Sequence, residues 1–237
     1  MKKVLFFAVV AMSAMMVSCN KQAAQTEDKE VLEATEMSPE VAAIRVANDL
    51  AKHGYATESP LALIEAADIL ATTPTRAFGD STKIDEGVKN PDAAAKEATQ
   101  EIKPEQLLAD ARKLTDDATI LALIDQVEAK IQAEEENKAT RGNYYGPKYG
   151  YYRVYANSYM TFDEAFTASQ LAEVVVSGDR TTDLDLYVYD ENGNLIASDT
   201  DYSDQCYVSI CPRWSGWFRI KVLNRGSVYN DYSIATN

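Results

Sequence analysis

Six aspartates offer the densest set of oxygen ligands in this sequence: Asp179, Asp183 and Asp185 on or beside one candidate strand, and Asp199, Asp201 and Asp204 in the loop after its hairpin partner. Antiparallel pairing of those segments would gather several carboxylates, and calcium takes about six to eight oxygen ligands from loops of this kind. The run Asp199-Thr200-Asp201-Tyr202-Ser203-Asp204 is not an EF-hand, because Asp204 stands where that loop needs Gly and Ile210 where it needs its terminal Glu. The competing reading is that these side chains cap turns and solvate one sheet face. Nucleophilic catalysis has less to draw on. A Ser or Cys nucleophile needs a base, usually His, and the single His is His53 in Ala51-Lys52-His53-Gly54, at the expected end of a helix, where the dipole favours a cation. No Gly-x-Ser-x-Gly elbow, phosphate loop or His-Glu-x-x-His helix occurs. The chain therefore reads as noncatalytic, with calcium at the aspartates the only cofactor its residues suggest.

Aromatic and sulfur groups form the second set. Of the 14 Tyr, only Tyr55 precedes Arg141, and both Trp follow it. Tyr144-Tyr145, Tyr149, Tyr151-Tyr152, Tyr155 and Tyr159, with Trp214 and Trp217, either form a stacking surface for a sugar or an extended peptide or simply cover sheet faces. Tyr151, Tyr155, Trp214 and Trp217 are the candidate ligand contacts. Cys206 and Cys211 tempt a disulfide, but on an extended strand five steps of about 3.3 Å separate them by roughly 16 Å, against the roughly 7 Å a bridge allows. They also point to opposite faces, so two buried thiols are expected unless a bulge or turn intervenes.

Charge and termini give the address. Lys plus Arg number 23 against 37 Asp plus Glu, for a net charge of -14, which argues against nucleic acid or anionic headgroups as partners. Residues 1–18 read as an export signal: Lys2 and Lys3 form a charged start, and Val4 to Val17 form an apolar run too short for the roughly 20 residues of a membrane span. Met16-Val17-Ser18-Cys19 resembles the bacterial lipobox. The resemblance implies cleavage before Cys19 and acylation of its thiol and new amino group, palmitate included, so that a membrane is the first partner. Asn20 is not the Asp that resembles an inner-membrane retention signal, which favours the outer membrane, on its periplasmic or surface face. Residues 19–37 are polar and read as a tether.

These groups must be positioned by an α+β fold in two domains, a helical bundle over residues 38–140 and an antiparallel β-sandwich over residues 141–237. Ser38-Pro39 opens a helix with Val41, Ile44, Ala47 and Leu50 on one face and Gly54 as its stop; Ser59-Pro60 opens a second with Leu63, Ala67 and Leu70. Residues 76–103 are polar. Pro104 opens a third with Leu107, Leu108, Ala111 and Leu114, and Thr115-Asp116-Asp117 leads into a fourth with Ile120, Ile124, Val127 and Ile131. The second and third align as a faint repeat that lacks the aromatics and Gly of a tetratricopeptide unit, so a plain bundle is expected. In the second half, alternation predicts strands at Glu164–Ser169, Glu173–Ser177, Asp183–Asp190, Leu195–Ser198, Cys206–Cys211, Gly216–Leu223 and Tyr229–Thr236. Leu184, Leu186, Val188, Phe218, Ile220, Val222, Tyr232 and Ile234 then face the core, and Asn192-Gly193 makes the tight turn.

The string Ser177-Gly178-Asp179, Thr182 to Asp190, Asn192 to Asp199, then Pro212, Gly216 and alternating Phe218, Ile220 and Val222 resembles the bacterial pre-peptidase C-terminal domain, a β-sandwich appended to exported proteins. The resemblance covers roughly residues 160 to 237 and implies a noncatalytic accessory module for binding, secretion or stability. No peptidase domain precedes it in this sequence. The expected function is a membrane-anchored cell-envelope lipoprotein with a sandwich that binds protein or glycan. An accessory or inhibitory partner of a secreted peptidase is the alternative, and a hydrolase using the aspartates is the third reading.

Overall fold

The computed structural model of the chain describes residues 32–33, 37–79, 82–89, 102–141 and 146–237. The expected signal segment, Cys19, most of the expected tether, and Tyr144 and Tyr145 lie outside them. The described chain contains helices α1 (Pro39–Thr57), α2 (Pro60–Thr72), α3 (Pro104–Lys113) and α4 (Ala118–Arg141). Its strands are β1 (Leu32–Glu33), β2 (Lys83–Asp85), β3 (Lys148–Val154), β4 (Tyr159–Phe166), β5 (Ala172–Ser177), β6 (Leu184–Tyr189), β7 (Leu195–Asp199), β8 (Gln205–Cys211), β9 (Gly216–Asn224) and β10 (Asn230–Thr236). The fold is α+β, with four helices in the N-terminal part followed by two antiparallel sheets, ordered β1-β8-β5-β10-β3 and β2-β4-β9-β6-β7.

Proline begins three of the helices, where its fixed φ suits the first turn and its missing N–H is not needed. The Ser59 hydroxyl accepts from the Ala62 N–H, and the Asp117 carboxylate accepts from the N–H groups of Thr119 and Ile120, so α2 and α4 carry side-chain caps. The helices bury one cluster centred on α2, in which Leu63, Ala67 and Leu70 meet Ala47, Ala51, Leu107, Leu108, Ala111 and Ile124.

Two helix expectations are corrected. Helix α1 passes through Gly54 to Thr57 and is capped by Glu58 in the left-handed region at φ 51°. Gly54 is there for packing: a Cβ at that position would sit 2.6 Å from the Leu63 side chain. His53 is therefore inside the helix and exposed, and the last turn carries no basic residue for the dipole to favour. Leu114 is the C-cap of α3 and 38% exposed rather than part of its buried stripe.

The sandwich core follows the alternation: Leu184, Leu186, Val188, Phe218, Ile220, Val222, Tyr232 and Ile234 are all buried between the sheets, with Val174, Val176, Phe162 and Val208. The outer face of the first sheet is covered as well, because Val175 and Ala235 pack against Val41 and Ile44 of α1. That explains why every residue of β5 and β10 is buried, as in sheets covered on both sides. The Glu173 carboxylate, also on β5, accepts from the Ser38 N–H at 2.9 and 3.1 Å and from the Tyr207 hydroxyl at 2.7 Å. A negative group at the start of α1 meets the positive end of the helix dipole. Helices, first sheet and second sheet thus form three layers, and among the described residues no helix packs on the outer face of the second sheet.

Four strands differ from expectation, among them β3, which lies where the alternation predicts none. Leu32–Glu33, in the span read as a tether, pairs with Cys211 and Ile210 of β8. Lys83–Asp85, in the polar stretch, pairs with Asp163 to Thr161 of β4, with Ile84 against the sandwich core. Strand β4 starts at Tyr159 and ends at Phe166 rather than spanning Glu164–Ser169. Cys206 and Cys211 are buried and not bonded to each other. Cys206 donates to the Leu184 carbonyl at 3.1 Å, and burial, reinforced by nearby aspartates, pushes its thiol well above the ordinary range. Among the described residues no helix is long and apolar enough to cross a membrane.

Candidate functional site

The open outer face of the second sheet is built by the residues that alternate with its core. On β9, Phe218, Ile220 and Val222 point inward, so Trp217, Arg219 and Lys221 point outward. Register then fixes their neighbours. Asp163 and Tyr189 flank Arg219, Thr161 and Tyr187 flank Lys221, and Ala165 lies opposite Trp217. The small Ala165 leaves the indole uncovered, and Trp217 is 50% exposed. Tyr159 is 42% exposed. Strand β2 extends the face with Lys83 beside Asp163 and Asp85 beside Thr161.

These side chains hold one another in place. Arg219 grips the Asp163 carboxylate through two bonds of 2.7 and 2.9 Å, a planar fork that keeps the Asp163 pKa low and the Arg219 pKa high. The Lys221 ammonium lies 4.5 Å from the Tyr159 ring centre and 5.9 Å from that of Tyr187. Tyr187 and Tyr189 stack with centroids 6.2 Å apart. At one end the β6–β7 hairpin closes a groove of about 590 Å³. That turn is wider than the tight Asn-Gly hairpin expected: it is a loop in which the Asp190 carboxylate accepts from the N–H groups of Asn192 and Asn194, with Gly193 at φ 81°. The arrangement offers aromatic faces beside fixed donors and acceptors, the chemistry of a binding surface.

The four aromatic candidates divide. Trp217 lies on this face, whereas Trp214 stacks on Phe218 at 5.3 Å and donates its Nε1–H to Glu191, so it covers the end of the core. Tyr151 packs against the helical cluster on the other sheet. Tyr155 follows β3, the strand that carries Tyr151, and does not line the groove. The tyrosine run is thus dealt to three places by alternation: Tyr149 and Tyr151 to the helices, Tyr152 to the core, and Tyr159 to the groove. Tyr187, Tyr189, Arg219 and Lys221 were absent from the candidate set. Their signal was the outward half of each alternating strand.

The six aspartates are not gathered into one cage. Asp185 bonds Arg225 at 2.6 Å and the Tyr187 hydroxyl at 2.8 Å. Asp179 accepts from the Asp231 N–H at 3.0 Å, Asp199 from the Tyr207 N–H at 2.9 Å, Asp201 from the Ser203 hydroxyl at 2.6 Å, and Asp204 from the Arg180 N–H. Burial and the neighbouring Asp185 raise the Asp183 pKa. Among the described residues no group of three or more acidic, His or Cys side chains is placed to hold a metal ion. Local turn contacts hold part of the set, at Asp179, Asp199 and Asp201, and donors from distant segments hold the rest.

No family model matches the chain, and no curated protein matches it. Among solved structures it is similar to a family two carbohydrate esterase from Cellvibrio japonicus, at 10% identity over 37% of this chain, with a TM-score of 0.20. The chain spans about a third of that structure (33%), an overlap that establishes neither fold nor activity here.

Proposed function

We propose that this protein is a noncatalytic cell-envelope lipoprotein, anchored through acylated Cys19 and of the pre-peptidase C-terminal type, whose sandwich binds a carbohydrate on the outer face of its second sheet. The observation that carries the reading is the pairing of exposed Trp217 and Tyr159 with the fixed Asp163–Arg219 fork on one open groove. An indole face suits the C–H side of a pyranose ring, and the fork and Lys83 suit its hydroxyls. A peptide adding to a sheet would use strand edges instead, whereas these groups stand on the sheet's face.

Binding to a glycan array, followed by titration with the best oligosaccharide, tests the face. Trp217→Ala is expected to lose about 2 kcal/mol, roughly 30-fold in affinity, while Trp214→Ala, whose ring covers the core end, keeps binding at a cost in stability. Equal affinity of Trp217→Ala and the parent would remove the proposal, and capture of peptides alone would move it to a protein ligand. For the anchor, labelled palmitate is expected to enter the parent chain and not Cys19→Ala. Acyl chains contribute about 0.8 kcal/mol per buried CH2, so the variant should move wholly to the soluble fraction; label persisting in it would refute the anchor.

A further inference from the structure

A second cavity, of about 310 Å³, lies where the end of α1 meets the rim of the first sheet. Lys52, Tyr55 and Ala56 line it from α1, Ile102 from just before α3, Tyr151 from β3, Ser177 to Arg180 from the end of β5 and the loop after it, and Asp231 from β10. Its size is at the lower end of small-molecule sites, about 300–1,000 Å³. Lys52 is 9% exposed, and its Nζ has no hydrogen-bond partner. A buried ammonium without an acceptor is unfavourable, and structures rarely keep one without a reason.

The neighbouring carboxylates do not supply that acceptor. Asp204 accepts from the Arg180 N–H, and Asp179 from the N–H groups of Asp231 and Thr181. Arg180 is itself held at φ 67°, a conformation unfavourable for a residue with a Cβ, and such residues cluster at ligand sites. Asp204, Asp49 and Asp179 pull the Lys52 ammonium towards its charged form, while burial and Arg180 oppose it, and burial prevails, so that the pKa falls to about 8.

We infer that this cavity binds a small monocarboxylic acid, its aromatic or short aliphatic body against Tyr55, Ile102 and Tyr151 and its carboxylate on the Lys52 ammonium. One negative charge satisfies the amine, whereas the second charge of a dianion such as phosphate would meet Asp204, Asp49 and Asp179, while Asp231 of the lining is paired with Arg153. The flexible stem of lysine lets the amine turn to the ligand. This site lies on the opposite sheet from the groove proposed for glycan.

Isothermal titration of the full chain with benzoate, phenylacetate and hexanoate, against benzyl alcohol and hexanol as uncharged counterparts, tests the assignment. At least one acid is expected to bind tenfold or more tightly than its alcohol. Lys52→Met, an uncharged side chain of similar length, is expected to abolish that preference while leaving glycan binding unchanged; Trp217→Ala is expected to leave acid binding unchanged. As a second readout, the bound acid should slow acetylation of Lys52 by at least tenfold in peptide mapping. Acid and alcohol binding equally, acid binding surviving Lys52→Met, or no acid binding at millimolar concentration would each overturn the proposal.

Discussion

Replacing Phe162 by Ala is expected to lower the unfolding free energy by about 3–5 kcal/mol, the range for removing a buried Phe side chain. The ring is 0% exposed and lies between the sheets. Its centroid is 5.0 Å from Tyr152 of β3 and 5.3 Å from Phe78, which comes from the segment between α2 and β2. Tyr152 in turn meets Tyr232 of β10 at 6.3 Å. One side chain therefore joins the second sheet, the first sheet and the segment that leaves the helices. Truncation leaves a cavity that these neighbours cannot fill together, because Tyr232 is fixed by its hydroxyl on the Met160 sulfur at 3.3 Å. Domain stabilities are about 5–15 kcal/mol, so the variant should sit near the edge of folding. Urea unfolding reads the effect as a lower midpoint with an unchanged slope. A loss below about 1 kcal/mol would mean that the site collapses freely and that the aromatic contacts contribute little.

How much of this was legible in the sequence depended on how many faces each strand buries. Strands with one open face, such as β6 and β9, write a clean alternation, and their inward residues were read correctly. Strand β5 carries Val174, Val175 and Val176 in succession because helices cover its outer face; the strand was found, but its second covered face was not. Strand β3 was missed because its sequence Lys-Tyr-Gly-Tyr-Tyr-Arg-Val shows no aliphatic period, although its tyrosines divide between core and helices. The three residues of β2 are too short for any period and depend on pairing with β4 for their existence. Gly54 looked like a helix stop since glycine so often is one; only the closeness of Leu63 distinguishes a packing glycine.

The groove was half legible for the same reason. Fixing Phe218, Ile220 and Val222 inward places Trp217, Arg219 and Lys221 outward without further information. What assembles them with Asp163 and Tyr159 is the β4–β9 register, which is long-range and follows from packing of the whole core. The aspartates left two readings open because carboxylate is equally the side chain of turns and of metal sites. Their partners Arg225, Tyr207, Arg180 and Asp231 come from other segments of the chain.

Lys52→Met is expected to stabilise the ligand-free protein by about 3 kcal/mol at neutral pH, from the fall of the Lys52 pKa from its ordinary 10.5 to about 8. Below pH 8 the amine is charged both folded and unfolded, and the folded state carries the full penalty of burying it. Between pH 8 and 10.5 the unfolded chain binds the extra proton, so the parent gains stability as pH rises. Above 10.5 both states are neutral and the gap to the variant closes. The groups facing Lys52 bear on this window: Asp204, Asp49 and Asp179 favour the charge and Arg180 disfavours it, while Tyr55 stays protonated, its pKa raised by burial and by Asp110. Urea midpoints of parent and variant at pH 7 and pH 10.5 measure the difference at both ends. A buried charge that weakens the fold is the pattern of a group kept for binding rather than for stability; a variant less stable than the parent at pH 7 would show instead that Lys52 supports the packing of α1 on the first sheet.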